Sequence, residues 1–508
     1  MTVSAVPLPR HGRLEYKWVT LSVTTIGAAM AAIDSSIVIL ALPDIMSSLH
    51  SDLVTMVWVL MGYILMSTVF LALFGRMADM FGRVRMYNLG FIVFTVGSVL
   101  CAIATSGEML VGFRLMQGAG GAMLMANSMA IITEAFPPNE RGRAMGINSI
   151  TWAIGGVIGP VVGGLILGFA SWRWIFLVNL PVGIGGTLWG YLALHELGRP
   201  ARRERLDLLG AALFSGGLVC ILLALTEGIS WGWGSARIEL LFAGFLVLEA
   251  AFLAWERKVQ TPLIDLSLFR ERIYTFGTGA AMLQSLSIFA VTFLLLFYLQ
   301  GVKGYSPLTA AFMLLPLPLL QSVMGPLGGI AADHVGARLP ATVGLCLQGG
   351  ACLVLSLLRA DSPYLLVVPG LVLLGLGGGL FWSPNTSAVM GTVPPRRLGI
   401  ASATLATFRQ CGMVTSFALA LAVAAATMPG KAVGEVFLGT SSELGSPALA
   451  PFATGMSDAL LVSFVIVVAA SSFTLLAGDT AETRRRNAAR LADTAAVESA
   501  IDEAGCGR

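Results

Sequence analysis

The chain has 508 residues, 56% of them apolar and 12% charged, with a mean hydropathy of +0.83 and a formal charge of +3. Water-soluble domains carry about 25% charged residues, so an assembly of ordinary soluble domains is excluded, and so small a net charge gives no footing for nucleic-acid binding. At about 20 apolar residues per membrane-crossing helix, the apolar fraction supplies about fourteen crossings.

Apolar runs between charged or Gly/Pro punctuation predict helices over residues 18–42, 54–74, 87–105, 109–133, 145–169, 174–194, 208–226 and 238–255. Six more follow at 274–299, 309–332, 340–358, 364–383, 400–428 and 456–477. The expected fold class is an all-α polytopic membrane protein. The first run is too long for a signal-peptide core and lacks a small-residue cleavage site, so it is expected to stay as the first span. With residues 1–17 cytoplasmic, the inner segments hold 24 of the 31 Lys and Arg, and the outer loops only Arg173, Arg237, Lys303, Arg359 and Lys431. That bias is what the positive-inside rule requires of a multi-pass cell-membrane protein with both termini cytoplasmic. Trp172, Trp174, Trp231 and Trp233 fall at outer ends and Trp18 and Trp255 at inner ones, as an aromatic belt would place them. Cys101, Cys220, Cys346, Cys352 and Cys411 lie in apolar stretches and Cys506 in the tail, a spacing that offers no disulfide framework or metal site.

A motif recurs after the second and tenth spans. Gly75-Arg-Met-Ala-Asp79-Met-Phe-Gly82-Arg83 and Gly329-Ile-Ala-Ala-Asp333-His-Val-Gly336-Ala-Arg338 are both Gly-x-x-x-Asp-x-x-Gly followed by a basic residue. The expected organisation is a six-helix half at 18–194, a linker with two inserted spans at 195–272, a second six-helix half at 273–477 and a cytoplasmic tail at 478–508. Internal repeats of this kind frame a midplane substrate site worked by rocking one half against the other. Gly75, Asp79, Gly82, Arg83, Asp333, Gly336 and Arg338 are then candidates for an inner gate; the plainer alternative is a tight basic loop that only orients the chain.

The loop resembles the signature between spans 2 and 3 of the major facilitator superfamily, and other stretches are similar to its fourteen-span drug:proton antiporters. These are Asp34-Ser-Ser-Ile-Val-Ile-Leu-Ala-Leu-Pro43, Arg114-Leu-Met-Gln117-Gly118, Gly155-Gly-Val-Ile-Gly159-Pro160-Val-Val-Gly163-Gly164, Trp172-Arg-Trp-Ile-Phe-Leu-Val-Asn179-Leu-Pro181, Leu206-Asp207-Leu-Leu-Gly210, and Pro262-Leu-Ile-Asp265 with Leu268-Phe269. The second half departs from the pattern at Ala337, where the first repeat has Arg83, and at Ser416. The resemblance implies two six-helix halves with two helices inserted between them, and export in exchange for protons. The stretch containing Gly155, Gly159, Pro160, Gly163 and Gly164 resembles the antiporter motif of exporters, which implies the direction.

The deep charges are few. Asp34 lies about 8 residues, roughly 12 Å, inside the outer end of its span. A lone charge at that depth costs about 2.5–3.5 kcal/mol on insertion scales, so Asp34 must face a cavity, pair or be protonated. A carboxylate that is neutral when sealed and ionised when wet meets the requirement for proton exchange; a packing Asp bonded to a neighbour is the alternative. Arg114 sits at a similar depth and is Asp34's candidate partner, a role in proton coupling that the resemblance also implies. Gln117, Gly118, Gly121 and Met125 follow it at helical spacing and form a face expected to line the cavity, although close helix packing reads similarly. Arg409 in span 13 and Gln321 in span 10 are further candidate cavity residues, Arg409 alternatively capping backbone carbonyls. Glu249 in the inserted hairpin is expected to reach toward the membrane interface.

Other classes are disfavoured. No Gly-x4-Gly-Lys-Ser/Thr loop handles ATP, and His195-Glu196 lacks the second His of a zinc-protease motif. The expectation is a monomeric, non-enzymatic exporter without metal or cofactor, driven by the proton gradient and moving lipophilic substrates that are neutral or singly charged. Alternatives are an exporter of one endogenous metabolite, antibiotic or lipid, and a transporter-like sensor without flux.

Overall fold

The computed structural model describes residues 15–136, 140–196, 207–259, 262–393, 397–426 and 449–478. The first part holds α1 Tyr16–Leu49, α2 Leu53–Phe81, α3 Arg83–Ala102, α4 Gly107–Ala135, α5 Arg141–Phe169, α6 Trp174–Leu177 and α7 Asn179–Ala193. A hairpin of α8 Leu208–Trp231 and α9 Ala236–Glu256 follows. The last part holds α10 Arg272–Phe297, α11 Pro307–Leu314, α12 Pro316–Val335, α13 Arg338–Ser356, α14 Val367–Gly391, α15 Leu398–Ala426 and α16 Leu449–Ala477. No strand occurs among the described residues.

Thirteen stretches among the described residues are long and apolar enough to cross a membrane, with α6–α7 and α11–α12 each forming one crossing. The 29 residues of α5 make a fourteenth, about 44 Å long at 1.5 Å per residue. Most helices outrun the apolar windows read from sequence; α1, for instance, continues to Leu49. The windows record hydrocarbon thickness, whereas backbone hydrogen bonding carries a helix on into the headgroup region. Two crossings are interrupted where the sequence reads as unbroken, at Val178 and at Leu315. Pro181, Pro316 and Pro318 lie just beyond these points and cannot donate to the preceding turn.

The helix pairing repeats. In the first half α1 packs on α5 and α7, α4 on α2 and α3, and α3 on α7. In the second α10 packs on α15 and α16, α14 on α12 and α13, and α13 on α16. Taken in order of crossings this is one scheme used twice. The halves meet through α2 with α15 and α5 with α11 and α12, while α8 rests against both α2 and α15.

Helix direction defines two ends, a near end with Tyr16 and Ala477 and a far end with Leu49 and Leu449. One large buried cluster draws on both halves. Its second-half members gather toward the far end, among them Phe293, Phe297, Leu314, Leu355, Leu371, Phe417 and Leu460, beside Ile37, Ile45, Met56 and Leu60 of the first half. The near-end clusters belong to one half each: Tyr16, Ile132 and Phe136; Phe74, Ala78 and Met86; and Tyr274, Phe381 and Val389. The halves thus share a sealed core at the far end and keep separate cores at the near end. Of the tryptophans expected in an interfacial belt, Trp174, Trp231 and Trp233 are exposed, but Trp172 is buried in the shared core.

Candidate functional site

Asp34 lies mid-way along α1 and is wholly buried, as are Arg114 and Gln117 on α4. Arg114 Nη1 donates to Asp34 Oδ2 at 2.6 Å. Gln117 Nε2 and Asn179 Nδ2 each donate to Asp34 Oδ1 at 2.8 Å. The same two amides reach the Ser98 hydroxyl of α3, at 2.7 and 3.3 Å. The carboxylate is therefore ringed by a guanidinium and two amides, which satisfies a charge that burial would otherwise penalise heavily. Asn179 is the first residue of α7, directly after the interruption at Val178.

Arg114 has anchors besides Asp34. Its Nε donates to the Val59 carbonyl at 3.1 Å and its Nη1 to Gln117 Oε1 at 2.5 Å. Its guanidinium lies 4.5 Å from the Tyr63 ring centroid and 5.9 Å from that of Phe176. If Asp34 takes up a proton, Arg114 loses its counter-charge but keeps these contacts. All members of the network belong to the first half.

The other expected cavity residues fall differently. Gln117 is buried in this network, so it lines no cavity in this state. Gly118 and Gly121 serve packing instead: a Cβ at Gly118 would meet the Tyr63 backbone and the Met66 Cβ at 3.0 Å, and one at Gly121 the Tyr63 hydroxyl at 2.7 Å. The small residues let α4 close on α2, bringing Tyr63 under Arg114. Met125 is half-buried. In the second half Gln321 of α12 is half-buried against Gly378 of α14, beside Gln348 of α13, whose Oε1 accepts from Gln284 Nε2 at 3.1 Å. Arg409 of α15 is partly exposed, its guanidinium 5.4 Å from the Trp382 ring centroid of α14. Glu249 does not extend to the interface; it is half-buried against Gly217 of α8.

The glycine stripe of α5 lies on the helix that carries Asp34. A Cβ at Gly155 would sit 2.5 Å from the Ala32 Cβ, one at Gly159 would strike Ser36, and one at Gly163 would sit 2.7 Å from Ile37. The Ser36 hydroxyl donates to the Gly155 carbonyl at 3.2 Å. Gly164 faces the other half, where its Cβ would come within 2.7 Å of the Leu308 Cα. Pro160 sits inside the helix between these contacts.

In the repeated loops Gly82 and Gly336 both have positive φ, 108° and 86°, a conformation that makes glycine the fitting residue. Glu196 Oε1 accepts the Arg85 N–H at 3.0 Å next to Gly82, and Arg83 pairs with Glu134 at 2.9 Å. Gly75 packs loosely on Ala126, Arg76 donates to the Pro262 carbonyl, and Arg338 is exposed. The side chains of Asp79 and Asp333 lie outside the described residues, as do 1–14, 427–448 and 479–508.

Residues 24–417 match the family described as Major Facilitator Superfamily. The chain is 34% identical to the riboflavin transporter RibZ of Clostridioides difficile, over 80% of this chain and 88% of the relative. It is 31% identical to the tetracenomycin C resistance and export protein of Streptomyces glaucescens, over 90% and 84%, and 35% identical to the multidrug resistance protein Stp of Mycobacterium tuberculosis, over 80% and 76%. Among solved structures it is similar to a bacterial homolog of the human lysosomal transporter Spinster, inward-facing and unoccupied, at a TM-score of 0.66 and 19% identity over 92% of this chain and 98% of that one.

Proposed function

The chain belongs to the major facilitator superfamily of membrane transporters, and from that membership we propose that it is a proton-coupled exporter of lipophilic small molecules. The observation that carries the reading is the sealed Asp34–Arg114 ion pair, bridged to α3 and α7 by Gln117, Ser98 and Asn179. The export relatives and the glycine motif of α5 support the direction.

In the proposed cycle the structure is the state closed at the far end, which faces the cytoplasm if the termini do. Asp34 is paired with Arg114 here and ties α1, α3, α4 and α7 together. In the opposite state a proton from outside neutralises Asp34, and Arg114 falls back on the Val59 carbonyl, Gln117 and the Tyr63 face. The four helices loosen, α1 shifts along the glycine stripe of α5, and the far-end seal against α11 reforms or breaks with it. Substrate leaves outward as the proton enters, and the proton is released inward when the pair re-forms. The repeated loops with Gly82 and Gly336 serve as near-end gates, and no cofactor is required.

The test is export by proteoliposomes under an imposed pH gradient, using riboflavin and tetracenomycin C as first candidates. Wild type concentrates a substrate against its gradient, and Asp34→Asn does not. Gradient-driven accumulation by Asp34→Asn would sink the coupling role. Transport of one compound alone from a broad panel would favour a dedicated exporter, a reading that two relatives named for a single compound support. No flux of any compound would favour a sensor.

A further inference from the structure

We propose that Arg409 and Trp382 form a binding site for planar aromatic monoanions, which gives the exporter reading a substrate class and rests on it. Arg409 lies near the middle of the 29-residue α15, far from either end. Among the described residues its guanidinium makes no hydrogen bond and no ion pair; its one contact of note is the face of Trp382, 5.4 Å away. A guanidinium held over an aromatic ring by a cation–π contact still has its N–H groups to offer, five donors in a fork matched to a carboxylate. The arrangement is thus preset for two parallel charge-assisted bonds to an acceptor pair.

Arg114 shows the contrast. The two arginines lie within long apolar helices of opposite halves, yet Arg114 is paired with Asp34 while Arg409 has no ion-pair partner among the described residues. Glu249 packs against Gly217 of α8. Among the described residues this leaves Arg409 a cation without an ion-pair partner, and an incoming anion supplies one. Trp382, itself edge-on to Phe381 at 5.4 Å, offers a flat aromatic wall beside the guanidinium, so a ring carrying the acid group is held in the same step. Gln321, half-buried on the neighbouring α12, is a further donor and acceptor on this half. An anion moving out while a proton moves in transfers charge in one sense on both legs, so an inside-negative potential drives both.

The experiment is equilibrium binding to the purified protein in lipid nanodiscs, with three probes of one ring system and different charge: anthracene-9-carboxylate, 9-anthracenemethanol and 9-(aminomethyl)anthracene. The carboxylate is expected to bind at least tenfold more tightly than the alcohol, and the amine most weakly. Arg409→Gln should erase the preference, Arg409→Lys keep part of it, and Trp382→Ala weaken all three probes. Equal affinities, a preference for the amine, no saturable carboxylate binding, or a preference that survives Arg409→Gln would each overturn the proposal. Binding is read without flux, so a protein that selects the carboxylate but shows no pH-driven transport would contradict the exporter reading and leave this site standing.

Discussion

At the scale of single residues, the Asp34 network makes the two partners of the ion pair unequal. Arg114→Met strands a buried carboxylate, and removing one partner of such a pair costs about 3–5 kcal/mol. Asp34→Asn is milder, because Arg114 keeps the Val59 carbonyl, Gln117 and two aromatic faces. Thermal unfolding in detergent should rank wild type above Asp34→Asn and both well above Arg114→Met; the reverse order for the variants would show that the carboxylate, not the cation, is the harder charge to leave alone. Asp34 and Arg114 were legible in the sequence because a charge inside an apolar run has no innocent place to go. Asn179, Ser98 and Tyr63 were not: a single amide, hydroxyl or phenol among apolar residues is unremarkable until the fold turns it inward. Gln117 was marked for a cavity, since spacing on a helix shows which residues share a face and not what that face meets. In a membrane both faces of a helix are apolar, so the sequence carries no amphipathic signal to decide it.

At the scale of elements, α5 joins the proton site to the seal between the halves. Its glycines rest on Ala32, Ser36 and Ile37 of α1, and Gly164 rests on Leu308 of α11. Gly164→Val forces the far ends of α5 and α11 apart and should favour the far-end-open state. In a cysteine-free background with spin labels at Ser48 and Asp361, two exposed far-end positions, the label distance should lengthen relative to the parent; an unchanged distribution would mean the contact does not hold the seal. In the loops, Gly82→Ala and Gly336→Ala each place a Cβ on a backbone conformation that costs about 1–3 kcal/mol for other residues. Both should lower the melting temperature, Gly82→Ala more so because its Cβ would also collide with Glu196. The motif spacing revealed both loops, and their shared positive φ gives that repeat a conformational cause. The breaks at Val178 and Leu315 were hidden, because the apolar run continues through them and only the missing proline N–H groups interrupt the helix.

At the scale of the molecule, hydropathy and charge placement were enough to read fourteen crossings, since a bilayer permits few other ways to satisfy the backbone. The conformational state was not legible, because both states of a rocking transporter are written in one sequence and differ only in which surfaces meet. The partition of the buried clusters, joined at the far end and separate at the near end, supplies what the sequence lacks. Charge is distributed to match: a buried Asp34–Arg114 pair in one half and, among the described residues, an Arg409 without an ion-pair partner in the other. The central claim is that Asp34 carries the exchanged proton, and it is tested most directly by proton release. A weakly buffered solution of purified protein containing a pH indicator is mixed with a compound that the chain exports. Wild type should release protons in proportion to the protein present and Asp34→Asn none; release by Asp34→Asn equal to that of wild type would contradict the account.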